Sequence, residues 1–532
     1  MSLATKLPDG IERVPVTRWE NAHQNFVHTF KENASFKLRI PKSDPAEQYR
    51  DTTKNFQWLI KYATDNNIQM RAMGNGWSFS EVAVCEGGLV DTKALRLSYN
   101  LNNTFVSPEY LKKGTAHDLF FTQCGMSVCD MNEKLEQDSN PKRCIKASGA
   151  SNGQSIAGCT STGTHGSAFN VGAVHDAIVG LHMVVGADRH VWIERKSQPV
   201  ASDEFIKWLG AEPIKDDDMF NAAVVSFGSF GFIHGVLLET EPIFLLEQFR
   251  NGNIEYNEAI KPCMNHLDFS GMTSVMPVLP GTPGKELYHF EIIVNPQQFE
   301  PNNPDKGVFF KTMYKIPHTA DYKKAEIDDK GFTYGDDLLG VLQTVVDTLG
   351  QKLSAKLVPA LVNKLFPMAF KSTESTVATI GETFCNTKFK GKVASAAIGI
   401  DSANASKVME TVLSINKKNP FPGGIAMRYV KGTKAMLGFT RFPKTCIIEL
   451  DGVDSKLSRA FFSKIWACLE ELSIPYTLHW GKINFNLTPA LVNKMYGEAT
   501  VKKWKTCRKS LLNEKTRSVF TNAFMIKCGL AD

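Results

Sequence analysis

Two short segments of the sequence are rich in glycine and in small hydroxyl side chains. The first is "GNGWSFS", residues 74–80, and the second is "SGASNGQSIAGCTSTGTHGS", residues 148–167. Such segments let the main chain approach a ligand closely and point its N–H groups at it, which suits a diphosphate. A lone G-x-G is usually a tight turn. The five glycines of the second segment are too dense for turns alone and favour a cofactor cradle.

The standard nucleotide-binding motifs are absent from the sequence. It has no GxxxxGK[ST], which argues against a P-loop NTPase, and no GxGxxG that opens a helix, which argues against an ordinary Rossmann site. It has no CxxC pair either, so neither a zinc ribbon nor a thioredoxin-like pair is expected. We therefore expect a cofactor that is held in some other way, and no metal site.

Four places in the chain resemble the vanillyl-alcohol oxidase-type FAD flavoproteins, nearest their aldonolactone, alditol and type II cholesterol oxidase branch. "GNGWSFS" resembles the first FAD loop of this family, and "SNGQSIAGCTSTGTHGS" resembles the second. "FGSFGFIHGVLLETEP", from residue 227, resembles the strand beside the adenine and ribose. "LHWGK" (478–482) and "FTNAF" (520–524) resemble C-terminal elements of the sugar-oxidising branch. The resemblance is good over residues 50–245 and fair over 475–528, and it implies FAD as the cofactor.

By this resemblance, main-chain N–H groups of the first loop hold the FAD diphosphate and the second loop contacts the flavin. The implied cofactor-binding residues are Gly74, Asn75, Gly76, Trp77, Ser78, Ala150, Ser155, Gly158, Thr162, Gly163, Thr164, His165 and Ile233. In many relatives a histidine at the position of Trp77 is bonded covalently to the flavin. Because tryptophan has no nucleophilic ring nitrogen, the resemblance implies FAD bound without a covalent tether.

The resemblance also implies three catalytic residues, which are Lys482 and His479 of "HWGK" and Arg428 of "IAMRYV". Hydride transfer from an alcohol to a flavin leaves negative charge on the ring, and a fixed cation stabilises that charge. The alcohol must also lose a proton to a base or to a hydrogen-bond network. A lysine and an arginine near the flavin are therefore expected to be essential.

One departure from the family pattern bears on the substrate. Where relatives place a glutamate two residues before the arginine, this chain has Ala426. The missing carboxylate weakens the case for a sugar or polyol, unless Glu291 or Glu382 supplies one. A less polar alcohol gains support, with the lipophilic segment 338–370 as a wall of its pocket. Helical spacing of the apolar residues in that segment makes helices packed on one face the simpler expectation.

The elements that must position these residues are expected to form an α+β fold. We expect a two-lobed FAD-binding domain over residues 1–245, an α+β substrate domain over 246–495, and a C-terminal segment, 496–532, that returns to the FAD domain. A helix is predicted over 47–67, with strands at "IQMRAM" and "GGLV" around the first loop. Further strands are predicted at "AAVVS", "IVGLHMVVGA", "LYHFEIIVNP", "AMLGFTRF" and "TCIIELDG".

Composition sets broad limits on the partners and the compartment. The 61 Lys and Arg residues against 55 Asp and Glu are scattered, so a nucleic-acid groove is not indicated. The N-terminal residues lack the apolar core of a signal peptide, and the 11 cysteines are odd in number and spread out. A cytoplasmic protein with reduced thiols is the simplest expectation. No apolar run reaches the length of a membrane span.

The sequence predicts an FAD-dependent oxidoreductase that oxidises a CH–OH group by hydride transfer to non-covalently bound FAD. Dioxygen, reduced to hydrogen peroxide, or another acceptor would take the electrons. The favoured substrate is a small-molecule alcohol, in particular a lipophilic, sterol-like one. The alternatives are an aldonolactone or alditol oxidase or dehydrogenase, a flavin-binding module without turnover, and a lipid handler that touches a membrane surface through segment 338–370.

Overall fold

The structure is a computed structural model that describes residues 7–279, 281–324, 357–370, 373–384 and 392–531. Helices and strands are mixed along these ranges, so the α+β class predicted from the sequence is confirmed. Most of the lipophilic segment 338–370, up to residue 356, lies outside the described residues.

The first part of the chain contains two main sheets, of four and six strands, two further pairs of strands, and the helices between them. Its strands are β1 (Ile11–Arg13), β2 (Arg18–Glu20), β3 (Val27–Thr29), β4 (Phe36–Leu38), β5 (Met70–Met73), β6 (Gly88–Asp91), β7 (Ser98–Asn100), β8 (Leu119–Gln123), β9 (Arg143–Cys144), β10 (Ile178–Val184), β11 (His190–Glu194), β12 (Glu212–Lys215), β13 (Phe232–Glu239) and β14 (Glu241–Pro242). Its helices are α1 (Gln48–Asp65), α2 (Pro108–Leu111), α3 (Val128–Glu133), α4 (Ile156–Thr162), α5 (Asp203–Leu209) and α6 (Asp217–Ala223).

The smaller of these sheets has the strand order β1-β4-β6-β5, and it positions the first glycine loop. β5 runs parallel to β6 and ends at Met73, so the loop begins at the carboxyl end of a buried strand. α1 buries Phe56, Leu59 and Ile60, at the helical spacing read from the sequence. The larger sheet has the order β12-β11-β10-β13-β8-β7.

The middle of the chain builds one long antiparallel sheet that carries the predicted catalytic arginine. Its strands stand in the order β18-β15-β17-β16-β20-β21-β19-β22. They are β15 (Phe244–Ile254), β16 (Glu286–Val294), β17 (Val308–Pro317), β18 (Thr373–Thr379), β19 (Val393–Asp401), β20 (Gly423–Lys431), β21 (Lys444–Val453) and β22 (Tyr476–Leu478). The accompanying helices are α7 (Lys261–His266), α8 (Val358–Ala369), α9 (Ile380–Thr383), α10 (Ala405–Lys418) and α11 (Lys456–Glu471).

The C-terminal residues are helical and pack on the first part of the chain. Their helices are α12 (Pro489–Tyr496), α13 (Glu498–Leu511), α14 (Glu514–Val519) and α15 (Ala523–Lys527). Trp504 Nε1 donates to the carbonyl of Ala222 at 3.0 Å, and Asn522 Nδ2 donates to that of Val84 at 2.8 Å. These contacts lie between the C-terminal segment and residues before 245, while the three domain boundaries stay a prediction.

The strand predicted at "AMLGFTRF", residues 435–442, is wrong, because this stretch is a loop. Its apolar residues Leu437 and Phe439 are buried, as in a strand. Side chains take the place of a partner strand: Trp480 Nε1 donates to the carbonyl of Leu437 at 2.8 Å, and Thr477 Oγ1 donates to that of Phe439 at 2.7 Å.

The strand predicted at "AAVVS", residues 222–226, is also wrong, since these residues lie at the end of α6 and in the turn after it. The carboxylate of Asp216 accepts the N–H of Met219 at 2.7 Å and caps this helix. Phe220 and Ala223 are buried on its inner face. The apolar run that suggested a strand is thus the packed face of a short helix.

α8 is the described end of the lipophilic segment 338–370. Its residues Val358, Val362 and Phe366 are fully buried, whereas Leu357 just before it is exposed. One face of the helix therefore packs on the protein, as its helical spacing indicates. Over the described ranges of the chain, no helix combines the length and apolar character needed to cross a membrane.

Candidate active site

A deep cavity brings together nearly all of the residues singled out from the sequence. The predicted residues that line it are Gly74, Asn75, Gly76, Trp77, Ser78, Ala150, Ser155, Gly158, Thr162, Thr164, His165, Ile233, Arg428, His479 and Lys482. Gly163 is not among the described residues of the cavity wall. It ends α4 with a left-handed φ of 78°, a conformation that favours glycine, and its contact with a cofactor stays a prediction.

The two glycine-rich loops pack directly against each other along this cavity. A Cβ atom on Gly74 would lie 1.9 Å from Ser155 Oγ, so a side chain there would push the loops apart. In the same way, a Cβ atom on Gly153 would lie 2.3 Å from the ring of Trp77. The glycines are therefore required by the close approach of the two loops. Trp77, in turn, covers the second loop and forms part of the cavity wall.

The first loop presents unpaired main-chain donors. Within the described part of the chain, no acceptor pairs with the N–H groups of Gly74, Asn75, Gly76 or Ser78. All of these residues line the cavity. Because N–H groups inside proteins are nearly always hydrogen-bonded, this row of donors fits an anionic ligand such as a diphosphate.

The first loop is also tied to the C-terminal "HWGK" motif, 400 residues away along the chain. The N–H of Phe79 donates to the carbonyl of Gly481 at 2.8 Å. Ser80 Oγ donates to the carbonyl of Trp480 at 2.6 Å. Lys482 Nζ then lies 5.7 Å from the centre of the Phe79 ring. These contacts fix Lys482 beside the loop that carries the free N–H groups.

A cluster of charged side chains forms part of the cavity wall. Arg428 on β20 and Glu449 on β21 both line the cavity, with Arg428 Nη1 3.1 Å from Glu449 Oε2. The other carboxylate oxygen, Oε1, lies 3.6 Å from Lys482 Nζ and 3.6 Å from His165 Nε2. Glu449 is only 2% exposed, so this carboxylate meets the cavity and little bulk water.

Comparison with solved structures shows which fold this is. A solvent-stable cholesterol oxidase matches with a TM-score of 0.68 over 99% of this chain and 100% of its own, at 14% identity. The cholesterol oxidase from B. sterolicum matches with a TM-score of 0.68 over 99% of each chain, at 15% identity. The chain has the fold of the vanillyl-alcohol oxidase-type FAD flavoproteins. No family model matches the sequence.

Curated sequence relatives of this chain carry the names of lactone oxidases and dehydrogenases. L-gulonolactone oxidase 3 of Arabidopsis thaliana is 28% identical over 200 residues, 37% of this chain and 30% of that protein. D-arabinono-1,4-lactone oxidase of Debaryomyces hansenii is 22% identical over 254 residues, 46% of this chain and 38% of that protein. L-gulono-1,4-lactone dehydrogenase of Mycobacterium tuberculosis H37Rv is 20% identical over 469 residues, 87% of this chain and 92% of that protein.

The chain thus spans less than half the length of the Arabidopsis and Debaryomyces relatives that it matches. The branch inferred from the motifs, that of aldonolactone and cholesterol oxidases, is confirmed by these relatives and neighbours. These relatives and structural neighbours are FAD-dependent oxidoreductases. FAD carries a diphosphate, which is the kind of anion that the unpaired N–H groups of the first loop fit.

The neighbouring strand supplies a carboxylate beside the position where Ala426 has none. Ala426 on β20 stands directly opposite Glu449 on β21 in the antiparallel register. Side chains of directly opposed residues lie side by side on the same face of a sheet. Sequence analysis missed Glu449. Its signal was an acidic residue inside the otherwise apolar run "TCIIELDG", since charged residues are rarely buried without a partner.

The two other carboxylates considered from the sequence have different surroundings. Glu291 is fully buried on β16 and accepts a hydrogen bond from Arg428 Nε at 3.0 Å. It lies behind the cavity wall and holds the guanidinium from the side opposite to Glu449. Glu382 accepts from the Tyr322 hydroxyl at 2.6 Å and from the N–H of Thr379 at 2.9 Å. It caps α9 and is not among the described residues that line the cavity.

Lys482 is held from behind by polar groups of the long sheet. Lys482 Nζ lies 2.5 Å from Ser395 Oγ on β19. It also lies 3.9 Å from Asp451 Oδ1 on β21, and Ser395 and Asp451 are themselves hydrogen-bonded partners across the two strands. Ser395 and Asp451 thus contact the ammonium group from the sheet, and Glu449 contacts it at the cavity wall.

Burial and charge set the protonation states in this cluster. Burial alone would raise the pKa of Glu449, but Arg428 and Lys482 hold it below its ordinary value, so the carboxylate is ionised at neutral pH. Burial lowers the pKa of His165 to about 4, with Glu449 partly opposing the shift. Burial also holds the pKa of His479 well below its ordinary value. Both imidazoles are neutral at pH 7.

His479 helps to shape the turn before Lys482. The N–H of Gly481 donates to His479 Nδ1 at 3.0 Å, so Nδ1 is the acceptor nitrogen and the proton of the neutral ring is on Nε2. Among the described residues, no group of His, Cys, Asp and Glu side chains is arranged to hold a metal ion. The charged groups of the described cavity wall are Arg428, Glu449 and Lys482, and the two neutral imidazoles lie beside them.

Proposed function

We propose that this chain binds FAD in the cavity and uses it to oxidise a CH–OH group of a small-molecule alcohol. The observation that carries the proposal is that the unpaired N–H groups of the first loop and the cluster of Arg428, Glu449 and Lys482 line one and the same cavity. FAD, when bound, supplies the hydride acceptor. The protein residues then have to bind the alcohol, orient its C–H bond and accommodate its proton.

Lys482 and Arg428 would stabilise the negative charge that develops during the reaction, as fixed cations of the cavity wall. Glu449 Oε1 would accept a hydrogen bond from the substrate hydroxyl. That oxygen suits the task because its neighbours, the Lys482 ammonium group and the neutral His165 ring, both lie at 3.6 Å, which is too long for a strong hydrogen bond. A carboxylate with a lowered pKa is a weak base, so the proton would leave through this network and not to Glu449 alone.

We further propose that FAD is held without a covalent bond to the chain. Trp77 stands at the place where relatives use a histidine tether, and its ring covers Gly153 in the second loop. Other residues of the cavity wall have nucleophilic side chains, among them the histidines His23, His165 and His479 and the cysteines Cys124 and Cys159. Burial raises the pKa of both thiols, to about 12, so neither is a thiolate at neutral pH.

Two classes of substrate are candidates, and Glu449 changes which of them is favoured. The sequence favoured an apolar alcohol because Ala426 stands where relatives have a glutamate. In the structure, however, Glu449 supplies a carboxylate on the facing strand, directly opposite Ala426. None of the described residues of α8 lines the cavity, so the expected lipophilic wall has no support from residues 358–369. A polyhydroxylated substrate such as an aldonolactone or alditol is therefore the first candidate, and a sterol-like alcohol is the second.

A spectrum of the purified protein tests the cofactor. We expect flavin absorption that is lost from the chain on acid precipitation and recovered in the supernatant. Flavin that stays with the precipitate would mean a covalent bond, and a colourless protein that takes up no FAD would refute the proposal.

A substrate panel tests the reaction. Under anaerobic conditions, aldonolactones, alditols, sterols and aromatic alcohols would each be mixed with the FAD-loaded protein. Bleaching of the flavin by one class identifies the substrate, and subsequent admission of air with detection of hydrogen peroxide distinguishes an oxidase from a dehydrogenase. If no alcohol bleaches the flavin, the chain is a flavin-binding module and not an enzyme of this kind.

A further inference from the structure

Two arginines are buried behind the wall of the cavity, where the first glycine loop meets the C-terminal helices. Arg71 lies on β5, three residues before the loop begins at Gly74, and is 1% exposed. Arg508 lies on α13 and is 0% exposed. Neither was singled out from the sequence, and neither belongs to the cluster around Lys482.

Both guanidinium groups hold the turn 226–229. Arg71 Nη1 donates to the carbonyl of Phe227 at 2.6 Å, and Arg508 Nε donates to that of Ser229 at 3.0 Å. Phe227 has a φ of 58°, which is uncommon for a residue with a side chain, and Gly228 follows with a φ of 69°. Such a backbone persists only when its surroundings hold it, and the two arginines do so here.

This turn is part of the cavity wall. Phe227 and Gly228 both line the cavity. A Cβ atom on Gly228 would lie 3.5 Å from Arg71 Nη1. The guanidinium of Arg71 is therefore one residue layer behind the space in which a cofactor would lie.

Arg71 is a buried cation for which the described part of the chain supplies no carboxylate partner. Among the residues that the structure describes, it donates to the Phe227 carbonyl and to Met525 Sδ, at 3.1 Å, while its Nε has no hydrogen-bond partner. Burial lowers the pKa of Arg71 to about 10, with Cys85 opposing the shift and the nearby Arg508 adding to it. The group is thus charged at neutral pH, and a buried charge is costly unless an opposite charge compensates it.

We infer that Arg71 and Arg508 form a cationic pair that strengthens binding of the diphosphate half of FAD from behind the cavity wall. The inference rests on the proposed FAD binding and extends it to residues that do not touch the cavity. Two independent observations in the described structure favour an anion at the same place: the unpaired N–H groups of Gly74, Asn75, Gly76 and Ser78 on the cavity side, and the uncompensated charge of Arg71 behind them. The pair acts through the electrostatic attraction between its positive charges and the diphosphate, and by holding the turn 226–229.

Titration of the apoprotein with FAD and with riboflavin, which has no phosphate, tests the pair through quenching of flavin fluorescence. Arg71→Met keeps much of the side-chain volume and removes the charge and the bond to Phe227. We expect it to raise the Kd for FAD at least tenfold and the Kd for riboflavin less than twofold. Arg50→Met is the matched control, because Arg50 also donates to a main-chain carbonyl, that of Trp208, and lies in an exposed ion pair on α1. It should leave both constants unchanged.

An unchanged Kd for FAD in Arg71→Met would overturn the inference, and so would an equal loss of affinity for riboflavin, which indicates a general defect. If Arg71→Met does not fold, Arg71→Lys and Arg508→Lys take its place. Each keeps the charge but loses the planar donor geometry, and we expect a threefold or larger rise in the Kd for FAD alone. Wild-type Kd values in both Lys variants would contradict the inference. Failure of the wild-type protein to bind FAD would instead refute the proposed function.

Discussion

Two regions of buried ionisable side chains in the described structure differ in their surroundings, because the first lines a cavity and the second does not. The first region is the cluster of Arg428, Glu449 and Lys482 in the cavity wall. The second lies inside the larger sheet of the first part, where the Tyr49 hydroxyl is 2.8 Å from His182 Nδ1 and His182 Nε2 is 2.9 Å from His190 Nδ1. There the ring of Tyr49 also stacks on that of His234, with their centres 4.0 Å apart.

Both regions have strongly shifted pKa values, but for different reasons. Burial holds the pKa of His182 and of His234 well below the ordinary value. In the cavity wall, opposite charges hold the pKa of Glu449 down against the effect of burial. No member of the histidine cluster is among the described residues that line the cavity. A shifted pKa is therefore found in both places with a different cause in each, and the cavity is what singles out the candidate reactive region.

The largest expected effect comes from removing the lysine of the cavity cluster. Lys482→Met should lower the rate of flavin reduction by the substrate by about 100-fold or more, which is typical for loss of one preorganised charge donor. Anaerobic stopped-flow measurement of flavin bleaching gives this rate directly. Lys494→Met, which breaks an exposed ion pair between Lys494 on α12 and Glu470 on α11, is the matched control and should stay within twofold of wild type. A comparable loss in both variants would contradict a catalytic role for Lys482.

The next largest effect on the rate of flavin reduction is expected from moving or removing the carboxylate of Glu449. Glu449→Ala should lower the same rate by about 10- to 100-fold, because the hydroxyl loses its acceptor and the cations lose their partner. Since Ala426 faces Glu449 across the strand pair, the double variant Glu449→Ala with Ala426→Glu returns a carboxylate to this face of the sheet. We expect it to recover at least about a tenth of the wild-type rate. A double variant no faster than Glu449→Ala would show that the location on β21 is itself required.

A smaller effect is expected from the groups that hold Lys482 from behind. Ser395→Ala removes the hydroxyl 2.5 Å from Lys482 Nζ but leaves Asp451, 3.9 Å away, in place. The rate of flavin reduction should fall by about 3- to 10-fold, the equivalent of one ordinary hydrogen bond. The Kd for FAD should not change. A variant that reduces its flavin at the wild-type rate would show that Asp451 alone positions the lysine.

The sequence predicted the parts of the site that depend on composition and short motifs. Glycine density identified both loops, and the "HWGK" motif identified Lys482, because these features are local in the chain. Glu449 was missed because its meaning depends on strand register, which places it opposite Ala426, 23 positions earlier. The arginine pair was missed for the same reason, since Arg71 and Arg508 meet only when the C-terminal helices pack on the first part of the chain.

The fold could be predicted where one segment carries its own signal. The spacing of Phe56, Leu59 and Ile60 predicts α1 because a helix buries one face along its own length. The stretch 435–442 has apolar residues that a strand would also bury, but its carbonyls are taken by Trp480 and Thr477. Those donors lie some forty residues further along the chain, so a local pattern could not distinguish this loop from a strand.

The smallest expected effect on turnover comes from the histidine cluster, where His234→Phe should change the rate of flavin reduction at pH 7 less than twofold. Its effect should appear in stability instead. Because the pKa of His234 is depressed in the folded state, the unfolded chain binds more protons below about pH 6.5, and stability falls by about 1.4 kcal/mol per pH unit for each such histidine. The melting temperature of the wild type should therefore drop between pH 7.5 and 5.5, and that of His234→Phe should drop less.

His117, which is exposed, provides the control: His117→Gln should leave the pH dependence of the melting temperature as in the wild type. If His234→Phe slowed turnover as much as Lys482→Met, the cavity would no longer separate the two regions.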